Sequence, residues 1–204
     1  TDVQLIQEFA KGVDPGAVAA SRDGGLFAIG EVRPAPNADV ARIYIYQVAA
    51  TQDRVSLART LQLPTEGGWL GNSGQRGSGG PEGGRSLCFS HQANRVAVGT
   101  RYGQILEWDL DKDEAPIEVS GAKSHENERV TVLKYSPDDR HLVACIGGVD
   151  VLRIIDLTKS EYAVWDCPRK RDSFALSESG ILLFQNSNGS LVETNDLANP
   201  NPRA

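Results

Sequence analysis

The feature that most constrains this chain is a weak internal repeat of three short apolar runs separated by polar turns. One copy reads Ser86-Leu-Cys-Phe-Ser90, Arg95-Val-Ala-Val-Gly99 and Gln104-Ile-Leu-Glu-Trp-Asp-Leu110. The next reads Val130-Thr-Val-Leu-Lys-Tyr-Ser136, His141-Leu-Val-Ala-Cys145 and Val151-Leu-Arg-Ile-Ile-Asp-Leu157. A third reads Ser173-Phe-Ala-Leu-Ser177, Ile181-Leu-Leu-Phe184 and Ser190-Leu-Val-Glu-Thr-Asn-Asp-Leu197. An earlier copy reads Ala17-Val-Ala-Ala-Ser21, Leu26-Phe-Ala-Ile-Gly30 and Ala41-Arg-Ile-Tyr-Ile-Tyr-Gln-Val48. Runs this short, rich in β-branched residues and divided by Gly, Asp, Asn and Ser, are strands joined by tight turns.

Further strand-like runs lie between the copies: Val55–Leu61, Pro116–Val119 and Glu161–Trp165. They supply a fourth strand per copy. The repeat spacing is about that of a propeller blade, and four antiparallel strands per unit is a blade's make-up. The expected fold is therefore all-β, a propeller of about four visible blades. The expected divisions are an outer strand of a preceding or closing blade at 1–11, blades at 12–63, 86–120 and 121–168, and a partial blade at 169–204. Residues 64–85, about half glycine from Gly67 to Gly84, read as a flexible loop. The chain opens at Thr1 and holds no methionine, which reads as an internal piece of a longer protein whose further blades complete a larger ring.

Composition excludes several classes. A net charge of −6 argues against a protein that grips phosphates along a nucleic acid. No apolar run is long enough to span a bilayer. The three cysteines, Cys88, Cys145 and Cys167, lack metal-ligand spacing and read as reduced thiols in the cytoplasm. The glycine stretch lacks the lysine and following helix of a phosphate loop. No nucleophile motif is present, and the three histidines have no metal spacing: His91 and His141 read as solvated turn residues and His125 as a structural brace. The expectation is a protein with no catalytic residues, no cofactor and no metal.

Three polar features stand out. Asp109 and Asp156 close third strands, where an aspartate caps the following turn. Glu107 and Glu193 occupy equivalent third-strand positions, where a carboxylate between blades needs a partner or water; nearness to solvent is the ordinary reading and a pairing that sets blade order the sharper one. Arg169-Lys170-Arg171 is the tight basic cluster, in the connection between the last two copies. A solvated loop is its ordinary reading, and contact with an acidic partner its functional one.

Val132-Leu-Lys-Tyr-Ser-Pro-Asp138 is similar to the turn of WD40 repeats, and Leu106-Glu-Trp-Asp-Leu110 carries that family's Trp-Asp pair. Tyr46, Ile155 and Thr194 replace the Trp in the other copies, and Tyr102 and Val149 replace the turn aspartate. Val96–Gly103, Val130–Ser136 and Gln185–Ser190 resemble consecutive blades of the echinoderm microtubule-associated protein-like (EMAP-like) group, and the extended turn from Ile29 through Val48 resembles a blade of that group or of ciliary WD-repeat proteins. The resemblance covers about residues 86–197. It implies a protein-interaction scaffold, tubulin or axonemal protein partners, and a place on the cytoskeleton, in a cilium or flagellum. The alternative is a soluble adaptor that captures a peptide at the propeller mouth.

Overall fold

A computed structural model of the chain describes residues 14–33, 40–49, 55–63, 86–100, 103–119, 129–159 and 163–197. The expectations for 1–11, 64–85 and His125 fall outside these residues. Among the described residues there is no helix, and within each sheet the strands pair antiparallel in sequence order, so each unit is a meander. Blade one is β1 (Asp14–Ala20), β2 (Leu26–Arg33), β3 (Arg42–Val48) and β4 (Val55–Gln62). Blade two is β5 (Ser86–Phe89), β6 (Arg95–Gly99), β7 (Ile105–Asp109) and β8 (Ile117–Glu118). Blade three begins with β9 (Arg129–Tyr135), β10 (His141–Gly147) and β11 (Val151–Asp156).

One strand then serves two blades. In β12 (Ala163–Leu176) the first part, to Pro168, pairs with β11, whereas Arg169 and Phe174–Leu176 pair with β13 (Leu182–Asn186). β12 thus ends blade three at its outer edge and opens blade four at its inner edge. Blade four closes with β14 (Leu191–Thr194), so the described residues form four blades. This corrects the expectation of a loop at Arg169-Lys170-Arg171, whose backbone is strand. The polar sequence there misled because β-pairing uses backbone groups that every residue carries.

The core lies between blades, not within one. Ala17, Ala28, Ile43, Ile45 and Leu61 of blade one pack on Leu87, Phe89, Val96, Val98, Leu106 and Trp108 of blade two. Ala97, Ile105, Leu133, Tyr135, Leu142 and Ile155 fill the space between blades two and three. Val143, Cys145, Leu152, Ile154, Leu182, Phe184 and Val192 fill that between blades three and four. Central strands covered on both faces read as continuous apolar runs. β10 shows this, with every residue after His141 buried. Each such aliphatic side chain contributes roughly 1.5–3 kcal/mol.

The burial expected from these runs holds for Val96, Val98, Ile105, Leu133, Val143, Ile154 and Leu182, all at most 4% exposed. Leu191 is the exception, at 71%. β14 alternates, with Val192 and Thr194 turned to blade three and Leu191 and Glu193 turned away. Among the described residues no blade covers that second face, so period-2 geometry exposes it.

Blades two and three also meet by backbone. Val130 N–H donates to the Thr100 carbonyl at 2.9 Å, which draws β9 against the end of β6. A Cβ on Gly99 would overlap the Val130 side chain and Ser86 Oγ, so glycine is required there by close approach.

Candidate functional site: the mouth of the blade arc

The four inner strands, β1, β5, β9 and the second part of β12, each end in a turn built the same way. Ser21, Ser90, Ser136 and Ser177 each donate their N–H to the carbonyl of the first residue of the returning segment, Leu26, Arg95, His141 and Ile181, and accept that residue's N–H through Oγ at 2.8–3.1 Å. Each serine carbonyl also accepts from the residue three further on: Gly24, Ala93, Asp139 and Gly180. Those four residues have positive φ, from 57° to 82°. Serine closes the turn by bonding local backbone, and the left-handed residue reverses the chain. The Ser21 hydroxyl holds the Asp23 carboxyl below the usual range. Burial works against the same effect at Asp138, where the Ser136 hydroxyl and the Arg140 N–H still prevail.

These turns frame a cavity of about 390 Å³. Its floor is apolar, from Leu87, Phe89, Leu133 and Leu176; its rim is polar, from Arg22, Ser90, His91, Lys134, Ser177 and Glu178. Arg22 of the blade-one turn and Glu178 of the blade-four turn meet across the mouth at 2.8 Å, both largely exposed. Apolar floors with a few convergent polar groups are what binding pockets of this size present. Cys88 also lines the cavity, but burial pushes its thiol up, which keeps it protonated and a poor nucleophile.

Beneath the rim a polar network joins blades two and three. The Asp139 carboxylate accepts from the backbone N–H of His91 at 2.7 Å and of Gln92 at 3.2 Å, and its Oδ1 lies 3.2 Å from His91 Nδ1. Arg95 donates to the Asp139 carbonyl at 3.0 Å, approaches Glu107 at 3.4 Å and stands over the Tyr135 ring. The Tyr135 hydroxyl donates to Glu107 at 2.6 Å. Burial, then the Glu107 charge, pushes the Tyr135 hydroxyl well up.

Glu107 therefore takes the sharper of its two expected readings, a pairing between blades. Its counterpart Glu193 stands exposed. His91 departs from the solvated turn residue expected, because the neighbouring blade brings Asp139 to it. His141 departs too: it opens β10 half-buried, and its Nε2 is buried without a partner. Asp109 and Asp156 cap their turns as expected, accepting from Asp111 N–H at 3.0 Å and Thr158 N–H at 2.9 Å. Of the basic cluster the backbone alone is described, with Arg169 paired to Asn186 where β12 crosses between blades. Sequence reasoning named the propeller mouth only as an alternative and none of the residues that line it. Its signal was the serine ending each first run, which recurs in all four copies.

No protein-family model and no curated protein matches the chain. Among solved structures it is similar to the Dos1 propeller, at 11% identity and a TM-score of 0.58, over 88% of this chain and 41% of that one. It is also similar to the β-propeller domain of Cps50 (Swd1) from Myceliophteria thermophila, at 16% identity and a TM-score of 0.59, over 92% of this chain and 55% of that one. The fold is a β-propeller. The chain spans about half the length of these structures, so its four blades are part of what such a ring contains. The likeness concerns the fold alone, in which β12 is the crossing between successive propeller blades and the cavity is the propeller mouth.

Proposed function

We propose that this chain is a non-catalytic scaffold that holds a partner protein by a short peptide segment seated in the propeller mouth. The observation that carries this reading is the cavity at the ends of all four inner strands, with an apolar floor and a rim of exchangeable polar groups. An apolar side chain of the peptide enters between Phe89 and Leu133, and its backbone meets the rim. The titratable pair at the mouth supports a structural role, since Asp139 is engaged by two turn amides as well as His91.

A displayed peptide library selected on the immobilised chain tests this. Ala20→Arg fills the mouth from an exposed position and should abolish binding of the enriched peptides while leaving the fold intact. Peptides that bind this variant as well as the parent would remove the mouth from the account.

The resemblance of residues 86–197 to EMAP-like blades, and of residues 29–48 to a blade of that group or of ciliary proteins, supports a finer reading, in which the scaffold sits on microtubules or the axoneme in the cytoplasm. Tubulin surfaces are acidic and so is this chain, so the contact would fall to Arg169, Lys170 and Arg171. Co-sedimentation with polymerised tubulin at low salt should then be lost on reversing those three charges. A chain that stays in the supernatant at low salt would end the microtubule reading and leave the peptide scaffold standing.

A further inference from the structure

The charges around the mouth are not those of the chain as a whole. The chain carries a net charge of −6. Of the described side chains lining the cavity, by contrast, Arg22 and Lys134 are cationic and Glu178 alone is anionic, while His91 is held beside Asp139. The other acids of these turns are already engaged. Asp23 accepts from the Ser21 hydroxyl and the Gly25 N–H, Asp138 from the Ser136 hydroxyl and the Arg140 N–H, and Asp139 from the amides of His91 and Gln92. Lys134 is exposed and makes no ion pair among the described residues.

The Arg22–Glu178 pair spans the opening from blade one to blade four, so a segment that reaches the apolar floor has to pass it. With side chains 61% and 71% exposed, such a pair contributes little to stability and exchanges partners readily. An incoming carboxylate takes Arg22 over from Glu178, which returns to water, and finds Lys134 as a second cation on the same rim. An incoming cation would instead take Glu178 and leave Arg22 unpaired, with a like charge beside it. The apolar floor strengthens whichever pairing forms, because a low local dielectric magnifies charge interactions. The sign of the rim therefore decides between the two.

We propose that the peptide seated in the mouth is acidic: an apolar residue on the floor, flanked by an aspartate or glutamate whose carboxylate displaces Glu178 from Arg22. This rests on the mouth being a peptide site and names the chemistry that the site selects. Arg22 sets the selection, through the charge-assisted bonds that a guanidinium makes to both oxygens of a carboxylate. Lys134 adds attraction as a point charge without fixed geometry.

Two displayed libraries, selected in parallel on the immobilised chain, give the test. Both vary their apolar positions freely; one carries Asp and Glu as its charged residues, the other Lys and Arg. The acidic library should yield binders that Ala20→Arg abolishes, and the basic library should not. Measured as labelled peptides, those binders should bind Arg22→Gln roughly tenfold more weakly than the parent and Glu178→Gln more tightly, and should lose affinity as salt rises. Both positions are exposed, so neither variant should change the melting temperature. Mouth binders that come equally from the basic library, or acidic ones indifferent to Arg22→Gln, overturn the proposal and leave the peptide scaffold standing. If neither library gives a binder sensitive to Ala20→Arg, the peptide site itself falls, and this proposal with it.

Discussion

Tyr135 of blade three donates its hydroxyl to Glu107 of blade two at 2.6 Å, beside the apolar cluster that the two blades share. The same carboxylate has Arg95 beside it at 3.4 Å, and Arg95 reaches on to the Asp139 carbonyl. A charged group between two blades costs stability unless its lone pairs are matched, and here strands from both blades match them. The contact therefore discriminates: a blade lacking a donor at the place of Tyr135 would leave Glu107 unsatisfied.

Tyr135→Phe should accordingly destabilise the chain by about 1.5–3 kcal/mol, the range for hydrogen bonds to charged groups. Glu107→Gln, which keeps an acceptor, should cost less than Glu107→Ala, which leaves two donors unpaired. Denaturant unfolding of the three variants checks the order. Equal losses from Gln and Ala would show that the carboxylate's position, not its bonding, matters.

Gly99 gives an independent test of how closely blades two and three approach. Gly99→Ala sets a methyl onto the Val130 side chain and Ser86 Oγ, and overpacking of this kind costs roughly 1–3 kcal/mol. Adding Val130→Ala should return part of that loss despite the cavity it leaves. A double variant less stable than the sum of the singles would place the strain elsewhere.

Much of this was readable from residues and some was not, for physical reasons. Strand positions followed from runs such as Val151–Ile155, because alternation and turn residues are local properties. The inter-blade pairing of Glu107 was legible as one of two options, since a mid-strand carboxylate needs a partner wherever it lies. The lining of the mouth was not legible: Leu87, Leu133 and Leu176 lie 46 and 43 residues apart and look like any other core leucines. Leu191 was misplaced because no blade among the described residues covers the second face of β14, and no local pattern reports a missing neighbour.

The chain should lose stability at alkaline pH through its buried tyrosines. Burial, then the Glu31 carboxylate 2.7 Å away, pushes the Tyr44 hydroxyl up to about 12, and burial raises Tyr46 as well. An unfolded tyrosine loses its proton near about 10, so above that value the unfolded chain binds fewer protons than the folded one. The stabilisation is complete below about pH 10 and is lost as pH rises through the folded values. Tyr44→Phe should flatten the fall in melting temperature between about pH 10 and 12. An unchanged slope would show that Tyr44 ionises as freely in the folded chain as in the unfolded one.

Blade four offers the sharpest contrast between neighbouring faces. Leu182 is fully buried in the cluster it shares with Val143, Ile154 and Phe184, whereas Leu191, on the adjoining strand β14 and turned to the opposite face, is 71% exposed. Leu182→Ala removes contacts on every side and should cost about 2–4 kcal/mol, because the rigid β10–β11 surface cannot collapse into the space. Leu191→Ala removes little that is packed and should change monomer stability by less than about 0.5 kcal/mol. The comparison is made at low protein concentration, where association does not contribute. If the two substitutions cost the same there, the register of β14 against β13 is shifted by one residue, which would exchange the two faces of the blade.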